Sequence, residues 1–215
     1  MTRILLVTAH SLFRQALAFV LSHTADFDIV GQAGSLAEAR GMLANADIAV
    51  IDSVLPDGPG IALIPALHHL IPGSAALVLA ASPDRATLAR AVEAGAAGVL
   101  HNSASIDEVI GALRQLSVGQ PFFSSHEQVE LLRYAIRLRE DGRQAQATVA
   151  RITPREREVL QAMAGGLDDE AMAATLHISP RTARTHVANI LGKLGAESRL
   201  QALVFAVRHG VAQIV

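Results

Sequence analysis

The strongest constraint on this chain is an alternation of short apolar runs with amphipathic helical patterns over its first 120 residues. Residues 4–7 read Ile-Leu-Leu-Val and residues 48–51 read Ile-Ala-Val-Ile, and residues 75–81 are apolar throughout. Shorter apolar stretches centre on Ile29 and Val30 and on residues 98–100. Between the first two, Phe13, Ala16, Leu17, Val20 and Leu21 repeat at i, i+3, i+4, i+7, i+8, the spacing of one helix face. Ser35 is placed to cap a helix carrying Leu36, Ala39 and Leu43, a further helix is expected over about 83–94, and Ser105 is placed to cap a helix with Ile106, Val109, Ile110, Leu113 and Leu116 on one face. Pro56-Asp57-Gly58-Pro59-Gly60 breaks regular structure. Strands apolar on both faces and flanked by helices belong to a parallel sheet covered on both sides. The expectation is an α/β, doubly wound (βα)5 sheet, with function gathered at the carboxyl ends of its strands. Those ends carry Thr8, Ala9 and His10, then Asp52, then Ala81 and Ser82, then His101 and Asn102.

The pattern changes after residue 120. Residues 126–140 have a helical period, with Val129, Leu132, Ala135, Ile136 and Arg139 near one face. Residues 141–146, Asp-Gly-Arg-Gln-Ala-Gln, are polar without an apolar period and read as a linker. The last 65 or so residues read as four short helices. Thr153-Pro154-Arg155-Glu156 combines a capping box with proline at the first helical position. A second helix runs from Asp168 through Met172 and Ala173 to Leu176, Ser179-Pro180 starts a third, and a fourth spans about 198–208 before Gly210. The expected organisation is a domain over 1–120, a helical linker over 121–150 and an all-α four-helix domain over 151–215.

Composition narrows the function classes. Of 215 residues 51% are hydrophobic and 18% charged, which excludes a largely disordered chain. Cysteine is absent, so disulfides, thiolate catalysis and cysteine-type zinc sites are excluded. Net charge is −2 overall, but residues 1–121 hold 6 basic and 10 acidic side chains while residues 151–215 hold 8 and 6. An acidic front and a mildly basic back suggest two domains with different partners. No stretch approaches the roughly 18 apolar residues that span a bilayer, so a cytoplasmic chain with no membrane partner is expected. His10, His101 and the pair His68-His69 lack metal-ligand spacing. There is no Ser-His-Asp set, glycine-rich phosphate loop or paired catalytic carboxylate, so neither an enzyme nor a metal or other cofactor is expected.

The second and third helices of the last domain are separated by only His177-Ile178, the arrangement of a helix-turn-helix whose second helix enters the major groove. The third helix divides by face. Ala183, Val187, Ile190, Leu191 and Leu194 form an inward stripe, and Arg181, Arg184, Thr185 and Ala188 an opposite one, with Thr182, His186, Asn189 and Lys193 between. Arginine's fork matches the two acceptors of guanine, whereas Thr182, Asn189 and Lys193 suit phosphates. On these residues the chain resembles LuxR-type helix-turn-helix domains. Ile152-Thr153-Pro154-Arg155-Glu156-Arg157-Glu158-Val159-Leu160 and Thr182-Ala183-Arg184-Thr185-His186-Val187-Ala188-Asn189-Ile190-Leu191-Gly192-Lys193-Leu194 carry the resemblance. It implies that Arg184, Thr185 and Ala188 face base edges, Ala188 standing where a longer polar residue is often found. It also implies that the fourth helix makes a dimer contact. Leu200, Leu203, Val204 and Val207 form an apolar stripe there, and Phe205 and Ala206 another.

The first domain resembles the receivers of NarL/FixJ-type response regulators. Val7-Thr8-Ala9-His10-Ser11-Leu12-Phe13-Arg14 matches their acidic opening motif, and Asp52, followed by Leu55-Pro56, matches their phosphorylated aspartate. The departures are at the chemistry. The two acidic Mg²⁺ holders are Thr8 and Ala9, the hydroxyl position is Ala80, the lysine position is Asn102 and the switch aromatic is Val99. Mg²⁺ is ordinarily anchored by one or two carboxylates, and phosphoryl transfer depends on stabilising developing charge. Asp52 is therefore expected to be a vestigial acceptor. The function expected is a homodimeric, double-stranded-DNA-binding transcriptional regulator working without conventional aspartyl phosphorylation, its receiver-like domain serving for dimerisation or for sensing an unknown ligand or protein. Two rivals stand: a protein-interaction adaptor with vestigial DNA binding, and a conventional phospho-switched regulator.

Overall fold

The computed structural model describes residues 1–120 and 122–214. Pro121 and Val215, at the edges of the expected linker and last domain, lie outside the described residues. The chain divides into two units, Met1–Leu138 and Arg139–Val215.

In the first unit the apolar runs become strands and the periodic segments become helices. The order is β1 (Thr2–Val7), α1 (Ser11–Ser22), β2 (Phe27–Ala33), α2 (Leu36–Arg40), a 3-10 turn (Leu43–Asn45), β3 (Ile48–Asp52), a short hairpin of β4 (Val54–Leu55) and β5 (Gly58–Pro59), a second 3-10 turn (Gly60–Leu63), α3 (Ile64–Leu70), β6 (Ala75–Ala80), α4 (Arg85–Ala94), β7 (Gly98–His101) and α5 (Ile106–Ser117). Five strands form a parallel sheet in the order β2-β1-β3-β6-β7. Alternation across the pleat sends successive residues to opposite faces. Leu5, Val7, Ala49, Ile51, Ala76 and Val78 pack with Leu36, Leu67 and Ala91 on one face, and Ile4, Leu6, Val50, Leu77 and Leu79 with Leu17, Leu21, Val109 and Leu113 on the other. The chain turns from β1 outward to β2 and then back to β3, so the strand order reverses between β1 and β3. Thr8 and Asp52 stand at that switch point, where doubly wound sheets place their ligands.

Three local features differ from the sequence expectation. Residues 56–60 carry a small antiparallel hairpin, with Val54 paired to Pro59 and Leu55 to Gly58. The helix opened by Ser35 stops at Arg40, and Leu43 is buried from a separate 3-10 turn. The polar stretch 141–146 is helical, lying inside α6 (Ser125–Ala150). Arginine, glutamine and alanine are strong helix formers and need no apolar face to stay helical. The boundary between the two units falls within this helix, between Leu138 and Arg139. Of the apolar face expected on α6 only Ala135 is buried. It packs with Leu131 against Ala89 of α4, leaving Val129, Leu132 and Ile136 exposed.

The second unit follows the capping signals closely. α7 (Pro154–Ala164), α8 (Asp169–Thr175), α9 (Pro180–Leu194) and α10 (Arg199–Arg208) start at Thr153, Asp168, Ser179 and Ser198, each side chain accepting a first-turn N–H. Their core gathers Val159, Leu160, Met163, Met172, Ala183, Val187, Ile190, Ala202 and Ala206.

Gly60 is the most confined of the glycines in the first unit. Its N–H donates to the Ser53 carbonyl at 3.0 Å, and a Cβ built there would lie 1.9 Å from the carbonyl oxygen of Asp52. Gly60→Ala is expected to destabilise the chain by about 2–3 kcal/mol through this overpacking against backbone. Gly111, inside α5 with nothing within 4 Å of such a Cβ, is the control, and Gly111→Ala should stabilise by about 0.5–1 kcal/mol. Urea unfolding followed by far-ultraviolet circular dichroism compares the two.

Candidate functional site

At the carboxyl ends of the strands lies an open cavity of about 600 Å³, lined by His10, Leu12, Phe13, Asp52, Ser53, Val54, Leu79, Ala81 and Asn102. The sequence-selected residues divide around it. Asp52 and Asn102 line it, whereas Ala80 and Val99 are buried in the core layer that α4 covers. Thr8 is fully buried beneath it, and its hydroxyl accepts the His10 N–H at 3.3 Å. Ala9 contributes only its backbone, its N–H reaching Asp52 Oδ2 at 3.1 Å. The Arg14 guanidinium donates to the Thr8 carbonyl.

Burial pushes the Asp52 carboxyl up from its ordinary value. The Ala9 N–H, the Thr8 hydroxyl and nearby His10 and Arg14 offset this only in part. Among the described residues Asp52 forms no ion pair and is the only carboxylate on the cavity wall. Thr8, Ala9 and Asn102 are neutral. The Asp52 carboxylate can accept hydrogen bonds, with the Arg14 guanidinium near it as the cation it feels.

The second unit presents α9 behind a tight turn. His177 adopts φ 54 there, a left-handed conformation unusual for a side chain larger than glycine. The N–H of Ile178 reaches the Ala173 carbonyl and that of His177 the Ala174 carbonyl, which closes α8 as a Schellman motif. On α9, Ala183, Val187 and Ile190 face the core, and Arg181, Thr182, Arg184, Thr185, Ala188 and Asn189 are exposed, with His186 half-buried. The Thr185 hydroxyl donates to the Arg181 carbonyl at 3.0 Å, and Thr182 shares a 2.8 Å hydroxyl contact with Ser179.

Two charged links here could not be read from local spacing. Lys193, expected on phosphates, has its Nζ 2.7 Å from Glu156 Oε2 and 3.1 Å from the Arg151 carbonyl. Glu156 is 4% exposed and also accepts from the Thr153 N–H and hydroxyl, completing the capping box of α7. Burial opposes its ionisation, but Lys193 and Thr153 outweigh it and hold the carboxyl below the usual glutamate range. The second link is Asp169, on the first turn of α8. It accepts the Arg184 Nε at 3.0 Å on one oxygen and Nη2 of Arg199 on the other. The capping motif marked Glu156, but only the fold brings Lys193 to it. Asp169 carried no signal beyond opening a helix.

The apolar stripe of α10 is exposed at Leu200, Val204 and Val207, while Leu203 is half-buried against the core. With Ala164, Arg208 and Ile214 these residues line a cavity of about 360 Å³. The inward face of α10 is Ala202 and Ala206, and Phe205 packs on His209 with ring centroids 4.5 Å apart.

Residues 4–114 match the response regulator receiver domain, and residues 150–206 match the bacterial regulatory proteins of the luxR family. The chain is 31% identical over 208 residues to the DNA-binding transcriptional activator DevR/DosR of Mycobacterium tuberculosis, covering 96% of this chain and 94% of that one. It is 29% identical to the transcriptional regulatory protein YxjL of Bacillus subtilis, covering 98% and 97%. A solved structure of the response regulator RcsB of Salmonella typhimurium aligns with a TM-score of 0.52 at 20% identity, over 96% of this chain and 98% of that one, a likeness of fold.

Lys193→Met leaves the Glu156 carboxylate buried and short of its cation. The second unit should lose about 2–4 kcal/mol. The native contribution of a depressed carboxyl is complete above the ordinary glutamate value of 4.5 and is lost as pH falls through the lower folded value. In the variant, burial acts with less opposition, so acid unfolding should begin at a higher pH. Circular dichroism between pH 3 and 7 checks both.

Proposed function

This chain belongs to the response regulators that join a receiver domain to a luxR-family DNA-binding domain, and is a DNA-binding transcriptional regulator of that kind; we propose that it binds DNA without conventional phosphorylation of Asp52. The observation that carries this reading is the donor set around Asp52. The Mg²⁺ on which receiver chemistry depends does not fit here. Thr8 and Ala9 replace two carboxylates, Asn102 offers no positive charge, and the one carboxylate on the wall already accepts a backbone N–H. The switch positions support the same reading, since buried Ala80 and Val99 bring neither a hydroxyl nor an aromatic ring to report on Asp52.

In this reading α9 supplies the contacts. Arg184 and Thr185 reach base edges beside Ala188, while Arg181, Thr182 and Asn189 serve the phosphates and His186 the flank. Lys193 stays with Glu156 as a fold-holding residue rather than a phosphate contact. A second copy of the chain covers Leu200, Leu203, Val204 and Val207 of α10, so the site read is two-fold. The role is regulatory rather than catalytic and is exercised in the cytoplasm. Among the described residues no helix is long and apolar enough to cross a membrane.

A DNA site selected from random duplexes with untreated protein provides the test. Beryllofluoride with Mg²⁺ should leave affinity for that site and sedimentation unchanged, and Asp52→Asn should bind as the parent does. A Mg²⁺-dependent shift that Asp52→Asn abolishes would establish the phospho-switched alternative instead. Arg184→Ala should weaken the selected site by about 5- to 150-fold, the range of one bidentate arginine–guanine contact, and random DNA far less. Equal losses on both would make Arg184 a phosphate contact.

A further inference from the structure

We infer that Asp169 is a positioning residue for DNA reading, holding Arg184 by its Nε so that both terminal amino groups face the base edge. The inference rests on the proposed base-reading role of Arg184 and adds a specificity-determining residue on a different helix. The geometry is asymmetric in a useful way. The Asp169 side chain is 24% exposed and that of Arg184 is 68% exposed, so the anchor is shielded while the arm extends outward. The Nε of Arg184 is taken at 3.0 Å, and the remaining fork of two amino groups is the part that matches O6 and N7 of guanine.

Arg199, from the start of α10, occupies the other oxygen of Asp169. That contact does two things. It fixes the carboxylate plane, because α8 and α10 then both hold it. It also balances the charge, since the trio carries a formal net charge of +1, the same as a lone arginine, and does not repel phosphates. Burial opposes ionisation of Asp169, but the two arginines outweigh it and keep the carboxyl below its usual range. The neighbouring carboxylate Asp168 is otherwise used, capping α8 through the N–H groups of Glu170 and Ala171. Asp169 is therefore the acidic side chain that orders Arg184 before DNA arrives, which limits the rotamer freedom lost on binding.

Full-length protein is titrated with the selected duplex and with a random duplex of equal length over a range of salt. Asp169→Asn should lower the ratio of selected to random affinity by about tenfold. Random binding should hold or strengthen, and the salt slope should steepen by about one for each of Arg184 and Arg199 that is released to a phosphate. Adding Asp169→Asn to Arg184→Ala should lower the ratio no further. In the parent, the Arg184 Nε–H nuclear magnetic resonance signal should be protected both free and DNA-bound, a readout that does not require the variant to fold. Equal loss of selected and random binding in Asp169→Asn, or loss of Nε–H protection in the parent on binding DNA, overturns the inference alone and leaves Asp169 a bridge between helices. An unchanged ratio for Arg184→Ala overturns the base-reading assignment and this inference with it.

Discussion

The buried carboxylate of Glu156 is the joint on which the DNA-binding unit depends. It sits at the third position of α7, where it closes the capping box with Thr153. It also accepts the ammonium of Lys193 near the end of α9. One nearly inaccessible anion thus fixes the start of one helix and the end of another. A buried charge is tolerated only when paired and hydrogen-bonded, and each oxygen contact here removes a way for α9 to slide or roll. The exposed stripe from Arg181 to Asn189 inherits its direction from that restraint. Further polar links complete the frame. Arg155 donates to the Leu176 carbonyl at the end of α8, and Gln161 exchanges hydrogen bonds with the backbone of Gln213.

The first unit has a different economy of charge. Its fold is set by two apolar layers on a parallel sheet, and the charged groups at the switch point between β1 and β3 gather around Asp52. Asp52 is held by backbone, through the Ala9 N–H at 3.1 Å. Gly60 leaves no room for a side chain beside the Asp52 carbonyl. The strand end that carries Asp52 is built as in a receiver, and positions 8, 9 and 102 are Thr, Ala and Asn. The sheet positions Asp52 for packing reasons that hold whether or not the residue is ever modified.

Much of this was legible in the residues. The caps at Ser35, Ser105, Thr153 and Ser179 were readable because a capping side chain and its partner N–H lie three residues apart. The core stripe Ala183, Val187 and Ile190 was readable because helix periodicity is local. The face of α6 was not, because Leu131 and Ala135 are buried only where α4 meets them, a contact between segments more than 40 residues apart. The polar stretch 141–146 misled for a related reason. Lack of an apolar period removes a packing partner but not the propensity to be helical.

For this protein, the sequence by itself determined the parallel (βα)5 sheet, the four-helix domain and which side of α9 is polar, since these follow from periodicity and capping within a few residues. It also determined that positions 8, 9 and 102 carry the neutral residues Thr, Ala and Asn. The tertiary structure alone decided what the charged side chains do. Lys193 pairs with Glu156 because the fold sets it 2.7 Å from that carboxylate, 37 residues away, and Arg184 pairs with Asp169 because α8 and α9 bring the two within 3.0 Å. Ion pairing acts through space over a few ångströms, and separation along the chain carries no information about it until the chain is folded.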